Sequence, residues 1–141
     1  MREDLLDARA ILLHESAASR EEAVRRCGRV LVETGAVAEP YVEAMLERER
    51  TISTYVGEGV AVPHGTAAAK RDVTRDAICV VRFPGGIDWD GERVTLCVGI
   101  AAAGDGHVPL LAALAEILLD PDRARTLREA TEPGQVLKEL T

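Results

Sequence analysis

The residue of this 141-residue chain best suited to chemistry is His64, in Val60-Ala61-Val62-Pro63-His64-Gly65-Thr66. The apolar trio reads as a short strand. Pro63 fixes its own φ and ends strand pairing, and Gly65 lets the backbone turn sharply and pass close to whatever His64 holds. A histidine between two such residues is held at the rim of a sheet, where reacting groups sit in α/β proteins. Imidazole is a nucleophile when neutral, and its ordinary pKa of about 6.5 leaves much of it neutral near pH 7. The same spacing also describes a strand-terminal histidine that merely hydrogen-bonds a loop, and both readings stand at this point.

Arg48 is the second candidate. Pro40 opens a helix whose buried stripe is Tyr41, Val42, Met45 and Leu46. At about 100° per residue Arg48 falls at the edge of that stripe, beside Tyr41 and Met45, while Arg50 points away. Arg48 can therefore lie along the protein body and present its guanidinium at a rim. The plainer alternative is an exposed ion pair of little energetic worth. His107 starts the most apolar segment of the chain, where a histidine is commonly a helix cap. His14 reads as structural or exposed.

These side chains need a scaffold. Ala10-Ile11-Leu12-Leu13 reads as a first strand. Ser19 and Glu22 form a capping box for a helix carrying Ala23, Val24, Cys27, Val30 and Leu31, closed by Gly35. Ala67 to Asp72 is a loop or short helical turn. Ala77-Ile78-Cys79-Val80-Val81 is a strand buried on both faces, broken by Pro84-Gly85-Gly86. Asp90-Gly91 makes a tight hairpin between Ile87-Asp88-Trp89 and Val94 to Ile100, with Trp89 an edge-packing residue. After the loop Gly104-Asp105-Gly106, residues 108–118 have almost no polar face and predict a largely enclosed helix. Asp120-Pro121 opens another, and a last one runs from near Pro133 to Leu140. The order predicts a single domain over 1–141, a three-layer α/β/α sandwich around a small mixed β-sheet.

Composition excludes several function classes. A net charge of -7 and no Lys/Arg stripe argue against nucleic acid. Cys27, Cys79 and Cys97 are isolated in apolar surroundings, which predicts free thiols in a reduced compartment and no structural zinc. Met1-Arg2-Glu3-Asp4 is acidic without an apolar core, so no secretory leader is expected, and no run approaches the roughly 20 apolar residues of a membrane span. A cytoplasmic location follows. Gly57-x-Gly59 lacks the Lys-Ser/Thr of a nucleotide-binding P-loop.

Ser53-Thr54-Tyr55-Val56-Gly57 followed by Ala61-Val62-Pro63-His64-Gly65-Thr66 resembles the active-site segment of the enzyme IIA proteins of the bacterial sugar phosphotransferase system. Within the mannitol/fructose class it is most similar to the mannitol-type branch. The likeness extends to Met45-Leu46-Glu47-Arg48-Glu49 and to Gly104-Asp105-Gly106-His107, and so covers nearly the whole chain. It implies an α/β sandwich and a phosphocarrier phosphorylated on His64, with Arg48 meeting the phosphate oxygens and His107 donating a hydrogen bond to the phosphoryl group. Gly65 and Thr66 would be secondary phosphate contacts, with no metal and no cofactor. The implied donor is the phosphorylated histidine-containing phosphocarrier protein, and the implied acceptor is a cysteine in the IIB domain of a membrane permease. Two competitors keep the fold: a regulatory relative of the nitrogen-related branch, and a non-catalytic binding module.

Overall fold

A computed structural model describes residues 5–103 and 107–140. Five strands form one mixed sheet: β1 (Ile11–Leu12), β2 (Tyr55–Gly57), β3 (Val60–Ala61), β4 (Ala77–Trp89) and β5 (Glu92–Ala101), in the order β1-β4-β5-β3-β2. β4 and β5 are antiparallel, β1 runs parallel to β4, β3 runs parallel to β5, and β2 closes the edge antiparallel to β3. The helices are α1 (Arg20–Glu33), α2 (Pro40–Thr51), α3 (His107–Leu118), α4 (Pro121–Arg128) and α5 (Pro133–Leu140).

The alternation of side chains along β4 separates the two helical layers. Cys79 lies over Gly99 beside Cys27 and Leu31 of α1. Arg82, three residues on and so on the opposite face, sends Nε to the Arg128 carbonyl (2.7 Å) and Nη1 to the Leu13 carbonyl (3.1 Å). The continuous apolar run Ala77 to Val81 is buried throughout because helices cover both faces. The sandwich expected from the sequence is the fold observed.

Several local expectations change. Pro84-Gly85-Gly86 does not break β4. Arg82 pairs with Leu96 and Ile87 with Val94, so Phe83, Pro84, Gly85 and Gly86 bulge opposite Thr95 alone. Gly86, at φ +79°, has the Arg93 guanidinium where a Cβ would stand. The first strand is shorter than predicted, because a 3₁₀ turn occupies Ala8–Ala10. β2 was not expected at all. Glu58 and Gly59 both have positive φ, the signature of a type I′ hairpin turn, and Asp90-Gly91 repeats it between β4 and β5 as predicted. Trp89 is 1% exposed, a core residue rather than an edge one.

The caps follow their residue chemistry. Ser19 Oγ accepts from Glu22 N at 3.1 Å, but Glu22 reaches the Ala18 N–H and not the cap's own. Asp120 accepts from the N–H groups of Asp122 and Arg123 at the start of α4. Gly104-Asp105-Gly106 lies outside the described residues.

Candidate active site

His64 sits just beyond β3, half-buried. Pro63 removes one donor but does not end the pairing as expected. Its carbonyl accepts from Ile100 N at 2.9 Å, and His64 forms a parallel bridge with Ile100 of β5. The sheet therefore holds the backbone on both sides of the imidazole. Nδ1 lies 2.8 Å from the Val62 carbonyl oxygen. A carbonyl only accepts, so Nδ1 carries the proton, and in the neutral ring Nε2 carries the lone pair. The backbone hydrogen bond weighed from the sequence is present, and it selects the tautomer.

Gly65 is needed for close approach rather than for an unusual φ. A Cβ there would stand 2.6 Å from Cε1 and 2.8 Å from Cζ of Tyr41. Its N–H donates to Tyr41 Oη at 2.9 Å, and that hydroxyl donates to the Ile100 carbonyl at 2.9 Å. What the backbone passes close to is thus the Tyr41 ring, and the Gly65 N–H is engaged by it. Tyr41, predicted only as part of a core stripe, braces the turn after His64. Thr66 is half-buried and precedes the 3₁₀ helix Ala67–Asp72 without capping it through its side chain.

Arg48 occupies the last turn of α2, half-buried, and Arg50 is exposed, as the helical spacing predicts. A cation there also complements the carbonyl end of the helix dipole. Arg48 Nη1 donates to the Ile52 carbonyl at 2.6 Å, which lays the side chain along the segment leading into β2. That segment carries the Thr54 carbonyl, which accepts from Val62 N at 3.0 Å. Arg48 and His64 therefore lean on the two chains of one hydrogen-bonded pair.

Sequence reasoning missed Glu49. It is 4% exposed, and three donors converge on it: Thr54 N (3.0 Å) and Trp89 Nε1 (2.7 Å) on Oε1, and Thr54 Oγ1 (2.5 Å) on Oε2. The signal was available. At about 100° per residue, Glu49 falls about 80° from Tyr41, between Met45 and Val42 and so inside the buried stripe.

His107 is the first residue of α3, as expected, but its predicted side-chain role lies outside the described residues. The enclosure predicted for α3 is not observed. Val108 is 56% exposed and Leu119, just past the helix, 83%. With Leu111, Leu118, Val56, Gly57, Glu58 and Val62 the end of α3 lines an open apolar groove of about 490 Å³. The helix buries Leu110, Leu114 and Ile117 on one side and leaves Val108, Ala112 and Ala115 on the other as surface. Arg128 Nη1 holds the Glu58 carbonyl (2.8 Å) and carboxylate (3.2 Å), tying α4 to the turn at the groove edge. Among the described residues no cluster of three His, Cys, Asp or Glu side chains is placed to hold a metal, and no helix is long and apolar enough to cross a membrane.

This arrangement has close counterparts. Residues 4–141 match the family described as phosphoenolpyruvate-dependent sugar phosphotransferase system, EIIA 2. The chain is 39% identical over 132 residues to the mannitol-specific phosphotransferase enzyme IIA component of Staphylococcus aureus, covering 92% of each. It superposes on enzyme IIA of the mannitol system in complex with phosphorylated enzyme IIB, from Escherichia coli, with a TM-score of 0.89 and 36% identity, covering 96% of this chain and 98% of that one. The crystal structure of the Escherichia coli mannitol IIA gives 0.88 and 37%, with the same coverage. This chain belongs to the EIIA 2 family of the phosphoenolpyruvate-dependent sugar phosphotransferase system.

Proposed function

We propose that the chain, acting as one cytoplasmic domain, is a mannitol-type phosphocarrier that takes a phosphoryl group on His64 Nε2 and passes it to a IIB partner. The observation that carries this reading is the Nδ1–H···O contact to Val62. It keeps a proton on Nδ1, so that when the ring is neutral its lone pair is on Nε2, in a chain whose relatives include a IIA protein solved with phosphorylated IIB.

Nε2 attacks phosphorus while the P–N bond of the donor phosphohistidine breaks, and the electron pair of that bond leaves with the donor imidazole. The ring becomes positive as Nε2 acquires phosphorus, and the Val62 carbonyl meets that charge through the Nδ1 proton. In the second step a partner cysteine thiolate attacks phosphorus, the P–Nε2 bond breaks, and His64 departs as the neutral imidazole. Phosphoryl transfer of this kind passes through a loose transition state with charge on three oxygens, so positioning and cationic contacts supply most of the catalysis. Arg48 takes the cationic role, with His107, Thr66 and the backbone after Gly65 as further contacts; the Gly65 N–H itself is held by Tyr41. The phosphorylated histidine-containing phosphocarrier protein is the donor. The apolar groove beside Val62 receives its partners in turn, and brief contacts on a modest open surface suit turnover.

The test is intact mass after incubation with phosphoenolpyruvate, enzyme I and the phosphocarrier protein. Wild type should gain one acid-labile phosphoryl group and His64→Ala none. No gain in wild type with a working donor mixture would overturn the reading in favour of a binding module. Onward transfer to a mannitol-type but not a nitrogen-branch partner sets its branch.

A further inference from the structure

Glu49 is a carboxylate inside the protein, and among the described residues no ion pair offsets it. Desolvating a charged group can cost more than its contacts return, and apolar replacements of buried ion pairs are often neutral or stabilising. Its surroundings indicate a different role. Both Thr54 donors and the Trp89 indole converge on its two oxygens: two N–H groups, which can only donate, meet at Oε1, and the Thr54 hydroxyl meets Oε2.

The contacts continue toward the site in two directions. The Thr54 carbonyl accepts from Val62 N (3.0 Å), and the Val62 carbonyl accepts from His64 Nδ1 (2.8 Å). Two residues before Thr54, the Ile52 carbonyl accepts from Arg48 Nη1 (2.6 Å). The segment Ile52 to Thr54 is thus the shared footing of the cation and of the carbonyl that selects the imidazole tautomer, and Glu49 pins it to Trp89 of β4.

Resting on the phosphocarrier reading, we propose that Glu49 is a positioning residue for phosphoryl transfer: its buried carboxylate sets Arg48 and the His64 tautomer together through Thr54. A purely structural role would lower stability when Glu49 is changed but leave the folded site unaltered.

The experiment compares wild type, Glu49→Ala, Thr54→Val and Thr54→Ser in the intact chain. Rapid-quench phosphorylation from the phosphocarrier protein is measured alongside long-range 1H–15N spectra of ¹⁵N-histidine-labelled protein, which report the ring tautomer. Glu49→Ala and Thr54→Val should slow transfer at saturating donor by at least about tenfold, with little change in KM. Both should shift His64 from one tautomer toward a mixture. Thr54→Ser, which keeps the hydroxyl donor, should transfer within about twofold of wild type. If Glu49→Ala fails to fold, Thr54→Val decides, because it is nearly isosteric. Folded variants with wild-type rates, or with an unchanged tautomer, would overturn the proposal. A wild type that takes no phosphoryl group would sink the phosphocarrier reading instead, and the tautomer comparison would still decide whether Glu49 governs His64.

Discussion

Tyr41 and Gly65 are fitted to each other: the phenol oxygen takes the Gly65 N–H at 2.9 Å, and the ring fills the space where a side chain at position 65 would begin. Because the ring is 3% exposed and its hydroxyl also holds the Ile100 carbonyl, it cannot move aside cheaply. Gly65→Ala should destabilise the fold by about 1–3 kcal/mol, as overpacking does. It should also slow phosphorylation, since Ile100 bridges His64. Urea midpoints and the rate of phosphoryl uptake check both.

Arg48 stands apart from the core energetics. Arg48→Ala removes one hydrogen bond to Ile52 from a half-buried side chain, so the unfolding free energy should fall by less than about 1 kcal/mol. Transfer should slow by about 10²–10³-fold, the effect of losing one preorganised group that meets transition-state charge. A loss of stability matching the loss of rate would contradict the role assigned to it.

Leu119 tests the groove. At 83% exposed it contributes little to folding, so Leu119→Lys should leave the unfolding midpoint within about 0.5 kcal/mol. A charge at an apolar docking face should raise the KM for the IIB partner by about tenfold or more without changing the chemistry on His64. Steady-state transfer at varied partner concentration separates these terms.

Alkaline pH should weaken the fold through groups near the site. Burial holds the Tyr41 hydroxyl above its ordinary value of 10.0, with the Gly65 N–H pulling the other way. A hydrogen bond with Cys27, followed by burial, pushes the Cys79 thiol well above 9.0. The folded chain therefore keeps these protons to higher pH than the unfolded chain. Their contribution is complete below the unfolded values and is lost as pH rises beyond them. Urea midpoints should show no loss from these groups up to about pH 9 and decline above it, and Tyr41→Phe should decline less steeply above about pH 10.

Much of the scaffold was legible in the chain. The Asp90-Gly91 turn, the Ser19 and Asp120 caps and the doubly buried run at Ala77 to Val81 are local rules, each satisfied by a few neighbouring residues. β2 escaped notice because three residues with half-exposed side chains carry no periodicity, and its pairing partner defines it. The open side of α3 escaped for the opposite reason. An apolar sequence announces burial and carries no mark of the side that stays uncovered.

The sequence alone determined the mixed α/β sandwich, His64 as the candidate nucleophile, and Arg48 at a rim, because periodicity and backbone punctuation are short-range physics. Only the tertiary structure decided which imidazole nitrogen holds the proton, what Gly65 makes room for and why Glu49 is inside. Each of those depends on a partner distant in the chain or on a backbone carbonyl that bears no mark in sequence: Ile100 and Tyr41 around the turn, Trp89 against Glu49, the Val62 oxygen against His64. Hydrogen bonds act over about 3 Å, and chain folding alone brings such groups within that reach.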